Sequence, residues 1–223
     1  MQKFAVIVAG GSGLRMGAFI PKQFLLLKGK PLLWHTLEAF LNSFHDLQII
    51  LVLPEEHIER GEEIINEFES KDRIIITKGG TTRFHSVQNG LQLITKDSIV
   101  FVHDGVRCLI TKELIQRCYN GAVENGSAIP AVAATDSIRM IDDNENNFVA
   151  DRTKVRLIQT PQTFKSDIIL PAFAQTYSDA FTDEATVVEA FGEKVFLVEG
   201  DYNNIKVTRP VDLVIAEKIL EER

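Results

Sequence analysis

The fold of this chain is decided by the stretch FAVIVAGGSGLRMG at residues 4–17. Its first five residues are a continuous apolar run rich in β-branched side chains, which predicts a buried strand. The glycines that follow can adopt positive φ and let a ligand approach the backbone N–H groups closely. Loops of this kind bind phosphate oxygens, and this one carries Arg15, with Lys22 shortly after it. The stretch therefore predicts a polyphosphate site.

The loop differs from the two common nucleotide-binding motifs. A Walker A loop ends in Gly-Lys-Ser/Thr, and that ending does not occur in this chain. A dinucleotide fingerprint beginning at Gly11 requires a small residue at position 16, where Met16 stands. A glycine-rich surface turn with two solvated cations is the alternative interpretation, which the preceding strand and the following Pro21-Lys22 disfavour.

Composition limits the classes of protein that this chain can belong to. At 223 residues, with 45% hydrophobic and 25% charged residues, it fits a single globular α/β domain over residues 1–223. We expect no membrane span and no secretory signal, because no apolar run is long enough and a strand begins almost at once. Cys108 and Cys118 show neither zinc nor disulfide spacing, so we expect a cytoplasmic protein. A net charge of −7 disfavours nucleic-acid binding but not a small phosphorylated ligand.

Apolar runs alternate with helical stretches in the first half of the chain. Strands are predicted at residues 4–8, 48–53, 73–77 and 98–103, with helices at 34–41, 55–69 and 86–93. Because the apolar runs are continuous, the strands should be covered on both faces, as in a parallel sheet. This order predicts a Rossmann-like, doubly wound, mostly parallel α/β sheet, which binds ligands at the carboxyl ends of its strands.

A different pattern begins after residue 127. A strand is predicted at 127–132, and two alternating segments, 135–140 and 148–152, flank a polar turn, which indicates a β-hairpin. Hairpins of this kind often pair with another subunit, so we predict a protruding arm at about 133–155 and a homodimer. An ordinary surface hairpin of a monomer is the alternative.

The last third returns to α/β order. It contains predicted strands at 155–160, 195–198 and 205–207 and predicted helices at 165–177 and 210–220. Thr182-Asp183-Glu184 indicates the start of a further helix, with the Thr182 hydroxyl as its cap, and Gly192 ends it.

Polar clusters follow two more strands of the predicted sheet. Residues 79–83 and 103–107 should meet the glycine loop in one crevice. Asp104 comes directly after a buried strand, which suits a Mg²⁺ ligand near phosphates, although it could instead cap the next turn. Arg107 could clamp a substrate phosphate or pair with Asp104.

We find no nucleophile–base set, and phosphoryl or nucleotidyl transfer needs none, because it depends on positioning and charge stabilisation.

Seven ordered motifs carry a resemblance to a known family over essentially the whole chain. They include the glycine loop with Pro21-Lys22, His103-Asp104 with Arg107, and Asn204 to Pro210. The remaining motifs are Gly79-Gly80 with Arg83 and Ser86, Asp151-Arg152, Thr160 to Phe164, and Thr182 to Ala185. This pattern resembles the 2-C-methyl-D-erythritol 4-phosphate cytidylyltransferases.

The resemblance implies a reaction in which CTP and the sugar-alcohol phosphate give the CDP-alcohol and pyrophosphate with Mg²⁺, in non-mevalonate isoprenoid synthesis. It implies Arg15, Lys22 and Lys206 as catalytic residues, with Arg15 and Lys22 stabilising the α-phosphorus. It implies a metal on Asp104. Nucleotide contacts are implied for Ala9, Gly10, Gly11, Ser12, Gly13, Gly80, Thr81, Ser86 and Asp104. Contacts with the second substrate are implied for Arg107, Thr160, Thr182 and, in an arm that reaches the partner subunit, Ser137 and Arg152.

Some positions depart from the family pattern. Gly105, Val106 and Cys108 replace residues that are common after the metal-site aspartate, and Thr81 stands where some members have an acid. Asn203 stands where some members have a second metal-site aspartate, so we place the metal on Asp104 alone.

Two other functions compete with this one at the level of sequence. A ribitol 5-phosphate cytidylyltransferase shares most of these motifs, and a nucleotide-binding regulatory domain without turnover is a third hypothesis. A dehydrogenase is disfavoured by Met16.

Overall fold

The structure is a computed structural model that describes residues 1–11, 20–94 and 97–223. Its strands are β1 (Gln2–Val8), β2 (Leu26–Leu27), β3 (Lys30–Pro31), β4 (Leu47–Leu53), β5 (Ile74–Lys78), β6 (Ser98–Asp104), β7 (Ser127–Ala133), β8 (Ile138–Ile141), β9 (Asn147–Ala150), β10 (Arg156–Ile158), β11 (Gln162–Lys165) and β12 (Leu197–Glu199). Its α-helices are α1 (Leu32–Ser43), α2 (Ile58–Ile65), α3 (Arg83–Leu91), α4 (Lys112–Asn125), α5 (Ser166–Ala172), α6 (Glu184–Ala190) and α7 (Pro210–Glu221).

Eight strands form the central sheet in the order β10-β7-β11-β6-β1-β4-β5, with β12 paired to β7. The pairs β6/β1, β1/β4 and β4/β5 are parallel, whereas β11 runs antiparallel to both β6 and β7. Val8 at the end of β1 is in register with Asp104 of β6 and Val52 of β4. The carboxyl ends of these strands therefore lie along one edge, and the predicted mostly parallel α/β sheet is confirmed.

The strands are covered on both faces, as their continuous apolar runs predicted. In β1, Ala5 and Ile7 pack into a core cluster with α1 and α4, while Phe4 and Val6 pack into a second cluster with α3 and α5. Successive side chains of a strand point to opposite faces, so each face contributes to its own core. This double burial keeps the strand ends in place.

The predicted hairpin is present as β8 and β9, which form a two-stranded sheet of their own from Ile138↔Ala150 to Ile141↔Asn147. The carboxylate of Asp142 accepts hydrogen bonds from the backbone N–H groups of Asn144 and Asn146 and closes the turn. Both strands are largely exposed.

Three details of the sequence prediction differ from the structure. The helix predicted at 165–177 begins only at Ser166, because strand β11 places the buried Phe164 between β6 and β7, and it ends at Ala172. Residues 205–207 form no strand, since Val207 makes one backbone bond, to Val106. Helix α4 was not predicted.

The cap of α6 was predicted one residue too early. Asp183, not Thr182, is the N-cap, and its carboxylate accepts a hydrogen bond of 2.9 Å from the Thr186 N–H. The Asp183 N–H in turn donates to the Thr186 hydroxyl at 3.2 Å, which completes a capping box. Asp183 also accepts from the Gln162 side chain at 2.8 Å.

We expect Asp183→Ala to lower the free energy of unfolding by about 1–2 kcal/mol, because it removes the cap and leaves donors unpaired. Thr182→Ala is the matched control and should change it by less than about 0.5 kcal/mol, since Thr182 is exposed. Urea unfolding of both variants measures the difference, and equal losses would contradict the assignment of Asp183 as the cap.

Candidate active site

A cleft of about 320 Å³ opens at the carboxyl ends of β1, β4, β5 and β6. The sequence predicted a ligand site at this edge, and the cleft brings together residues from six separate segments of the chain. The predicted site residues that line it are Ala9, Gly10, Gly11, Lys22, Gly80, Thr81, Ser86, Asp104 and Lys206. Arg15, Ser12 and Gly13 lie outside the described residues.

The end of β1 is fastened to its neighbours where the glycine stretch begins. The Ala9 N–H donates to the Val52 carbonyl at 3.0 Å, and the Ala9 carbonyl accepts from the buried Gln23 side chain at 2.8 Å. A Cβ atom added to Gly11 would lie 3.2 Å from Cε of Lys22. The stem of Lys22 therefore lies against the glycine stretch, which brings its ammonium group to the cleft.

The opposite wall is formed by the start of α3 and the residues before it. The Ser86 hydroxyl donates to the Thr82 carbonyl at 2.9 Å and accepts from the Gly80 N–H at 3.1 Å. A Cβ atom on Gly80 would lie 2.4 Å from Cβ of His85, so this position requires glycine. Thr81 is exposed at the rim.

Asp104 is the electrostatic centre of the cleft. Its carboxylate lies 2.8 Å from Nζ of Lys206, 3.3 Å from Nη2 of Arg83 and 3.8 Å from Nε of Arg107. Burial by itself raises the pKa of Asp104, but the charges of Arg83 and Lys206 outweigh it and hold the pKa well below its usual range. Asp104 is therefore a carboxylate at neutral pH.

A second layer of hydrogen bonds holds Asp104 from behind. The Thr160 hydroxyl accepts from the Asp104 N–H at 3.2 Å and lies 3.0 Å from Nδ1 of His103. Burial lowers the pKa of His103 to about 3, so the imidazole is neutral. Its Nε2 faces the Arg107 carbonyl at 3.3 Å and carries the proton, so its Nδ1 accepts from the Thr160 hydroxyl. Arg107 is half-buried beside them and donates to the Asn204 carbonyl at 2.8 Å, and the Asn204 amide donates to the Thr160 carbonyl at 2.8 Å. Thr160 and Arg107 thus help to hold Asp104 in place.

Three other predicted residues lie away from the lining of this cleft. Ser137 and Arg152 belong to the arm and its base, where Arg152 donates to the Thr135 carbonyl at 2.6 Å. Thr182 is exposed ahead of α6. Their predicted contacts with the second substrate remain predictions.

Two residues of the site, Arg83 and Glu184, were not predicted from the sequence. Arg83 lines the cleft, and its guanidinium contacts both oxygens of the buried Glu184 as well as Asp104. Arg83 belongs to the motif that begins with Gly79-Gly80 directly after a strand end, and this position could have indicated a residue of the site. Glu184 was interpreted only as a helix-start acid, because no local pattern indicates a partner 101 positions away.

A metal at this site would depend on Asp104. Within the described ranges, no group of three His, Cys, Asp or Glu side chains is arranged to hold a metal ion. Mg²⁺ is often held by one or two carboxylates together with substrate phosphates. The single ionised carboxylate of Asp104 fits a Mg²⁺ ion that is shared with a triphosphate, and Asn203 is not among the cleft residues.

Comparison with known proteins identifies the family. The model of the family IspD, 2-C-methyl-D-erythritol 4-phosphate cytidylyltransferase, matches residues 3–222. The chain belongs to this family. It is therefore a nucleotidyltransferase by family, as the motifs implied.

Individual relatives agree with this assignment along the full length of the chain. The 2-C-methyl-D-erythritol 4-phosphate cytidylyltransferase of Bacteroides thetaiotaomicron is 46% identical, covering 99% of this chain and 100% of the relative. That of Azobacteroides pseudotrichonymphae is also 46% identical, over 99% of each. Among solved structures, the 4-diphosphocytidyl-2C-methyl-D-erythritol synthase of Anaerococcus prevotii has a TM-score of 0.85 at 30% identity, covering 99% of this chain and 98% of that one.

None of the helices in the described part of the chain combines the length and the hydropathy needed to cross a bilayer.

The neutral, buried His103 predicts a pH dependence of stability. The folded pKa of about 3 lies below the unfolded value of about 6.5, so the unfolded chain binds the proton first. The contribution of the neutral His103 to the free energy of unfolding is complete above the pKa of the unfolded chain. It is lost as the pH falls, by about 1.4 kcal/mol for each pH unit below pH ~6. Urea unfolding between pH ~7.5 and ~5 should show a shallower loss for His103→Gln than for the wild type.

His45→Gln is the control for this experiment, because His45 is an exposed histidine. It should retain the wild-type pH dependence. Parallel curves for His103→Gln and the wild type would contradict a neutral His103 in the folded protein.

Proposed function

We propose that this chain joins CTP and 2-C-methyl-D-erythritol 4-phosphate in the cleft at the carboxyl ends of β1, β4, β5 and β6. The products are the CDP-alcohol and pyrophosphate, in non-mevalonate isoprenoid precursor synthesis. The observation that carries the proposal is the convergence of Lys22, Asp104 and Lys206 from three separate segments on one cleft beside the glycine stretch.

The reaction needs charge stabilisation more than proton transfer. A phosphate oxygen of the acceptor attacks the α-phosphorus of CTP, a new P–O bond forms, and the bond to the pyrophosphate oxygen breaks. The acceptor phosphate is already an anion, so no general base has to activate it. Catalysis then depends on cations that stabilise the charge developing on the phosphorus oxygens.

Lys22 and Lys206 are suited to that role. Lys22 lies beside the glycine stretch at the end of β1, and Lys206 comes from the segment between β12 and α7. The side chain of Lys206 is 41% exposed, so it can leave Asp104 and turn to a bound phosphate. Arg15 is assigned to the α-phosphorus by the family pattern alone.

Asp104 would hold Mg²⁺ together with the triphosphate oxygens. When bound, the metal supplies Lewis-acid polarisation and neutralises part of the triphosphate charge. The chain contributes an ionised carboxylate with Arg107 beside it, on a residue whose backbone N–H is held by the Thr160 hydroxyl.

We propose further that the enzyme is a homodimer formed through the arm. A two-stranded hairpin is marginally stable alone in water. The arm is such a hairpin, and it also exposes four apolar side chains, those of Met140, Ile141, Phe148 and Val149. A second subunit that covered them would stabilise the arm. A cytoplasmic location is supported by Cys108 and Cys118, which are free, buried thiols whose pKa burial raises to about 12.

The substrate test compares methylerythritol phosphate with ribitol 5-phosphate. Pure protein is incubated with CTP, Mg²⁺ and each alcohol phosphate, and pyrophosphate release is followed. We expect release with 2-C-methyl-D-erythritol 4-phosphate, and none in the reaction with EDTA in place of Mg²⁺. Release with ribitol 5-phosphate alone would favour the related cytidylyltransferase, and no release with either would favour a regulatory domain.

A mixing experiment tests whether the arm acts across subunits. Lys22→Ala and Arg152→Ala should each lower the rate of the homodimer, by about a hundredfold for Lys22. Mixed dimers would contain one site with Lys22 from one chain and Arg152 from the other. Mixing after partial unfolding and refolding should therefore restore up to roughly a quarter of wild-type activity.

The control for mixing is Lys22→Ala with Lys206→Ala. Both residues line the same cleft of one chain, so no mixed dimer regains an intact site. Absence of recovery with Arg152→Ala would count against an arm that completes the partner's site.

A further inference from the structure

Glu184 and Arg83 form an ion pair in the wall of the candidate active site. Arg83 lines the cleft, whereas Glu184 lies behind it with its side chain 1% exposed. The guanidinium contacts both Glu184 oxygens, with Nη2 at 3.1 Å from Oε2. The same Nη2 lies 3.3 Å from Oδ1 of Asp104. Glu184, Arg83 and Asp104 thus form a chain of charges from the core to the cleft.

Stability alone does not explain this pair. Glu184 is the first residue of α6, a helix whose Ala185, Val187 and Val188 pack into an apolar core cluster. Replacing buried ion pairs by apolar residues is often neutral or stabilising, because desolvation offsets the attraction between the charges. The pair also points toward Asp104, which indicates a role in the electrostatics of the cleft.

The number of cations around Asp104 defines that role. Arg83, Lys206 and Arg107 all lie within 4 Å of its carboxylate, and each would repel a divalent cation bound there. Lys206 is partly exposed and can move to a phosphate, whereas Arg83 is held by Glu184. The negative charge of Glu184 offsets that of Arg83, so the guanidinium can orient Asp104 without a full positive charge beside the metal position.

We infer that Glu184 is a positioning residue of this active site, which holds Arg83 and offsets its charge so that Asp104 can bind a divalent cation shared with the triphosphate. This inference rests on the proposed function. Glu184 touches neither substrate nor metal in this arrangement, and it acts through Arg83.

The test measures CTP binding by calorimetry in EDTA and in saturating Mg²⁺. We call the dissociation constant in EDTA divided by that in Mg²⁺ the magnesium enhancement. Glu184→Gln keeps the size of the side chain and removes its charge, so the site becomes more positive. We expect the variant to bind CTP in EDTA at least as tightly as the wild type, while its magnesium enhancement falls about tenfold. A purely structural defect would weaken binding under both conditions.

Two further variants serve as controls. Glu67→Gln changes the net charge equally at an exposed carboxylate paired with Lys30, and it should leave the magnesium enhancement unchanged. The double variant Arg83→Gln/Glu184→Gln removes both charges and leaves no unpaired buried charge, so it also covers the case in which Glu184→Gln fails to fold. It should show a larger enhancement than the single variant.

Several results would overturn the inference. The first is a magnesium enhancement in Glu184→Gln that equals that of the wild type, and the second is an equal loss of CTP affinity with and without Mg²⁺. The third is a double variant whose magnesium enhancement is no larger than that of Glu184→Gln. If Glu184→Gln does not fold, a double variant without any magnesium enhancement would overturn the inference. If Mg²⁺ does not change the affinity of the wild-type protein for CTP, both the proposed metal and this inference are wrong. That failure is recognised in the unmutated protein, before any variant is compared.

Discussion

The structure depends on one constraint, which is that the buried carboxylate of Asp104 must be neutralised. Asp104 is 7% exposed, and a charge at such a position is tolerated only with opposite charges and hydrogen bonds around it. Arg83, Arg107 and Lys206 supply the charges, and they come from the start of α3, the loop after β6 and the segment before α7. Neutralising Asp104 therefore joins the start of α3 and the segment before α7 to the end of β6, and the partly exposed Lys206 can also reach an anionic ligand.

The backbone makes this convergence possible. The register of β1 and β6 pairs Val8 with Asp104, so the glycine stretch and the carboxylate leave the sheet side by side. The Val207 N–H donates to the Val106 carbonyl at 3.0 Å, which fastens the segment that carries Lys206 to the loop after β6. Since both faces of β1 are packed into apolar cores, these strand ends cannot shift without disturbing the packing. Catalysis by fixed charges requires this kind of rigidity.

The arm differs from the cleft in that it is not packed into the central sheet. It forms its own two-stranded sheet, and its apolar side chains Met140, Ile141, Phe148 and Val149 are exposed. The chain thus separates a cleft, held by sheet packing and buried charge, from a hairpin with exposed apolar side chains. Because the hairpin lies outside the central sheet, Ser137 and Arg152 lie apart from the other predicted site residues.

Local patterns in the sequence determined much of the fold and part of the site. The apolar run Phe4–Val8 predicts a doubly covered strand, and the glycines and Asp104 follow strand ends whose parallel order brings them together, while the ordered motifs identify the family and its reaction. Only the tertiary structure decided which distant groups meet. Strand β11 and the Arg83–Glu184 pair depend on partners far along the chain, and the Thr160 hydroxyl is used by Asp104 and His103 only because two strands lie next to each other. The physical reason is that hydrophobic periodicity is a property of neighbouring residues, whereas the neutralisation of a buried charge depends on how the whole chain packs.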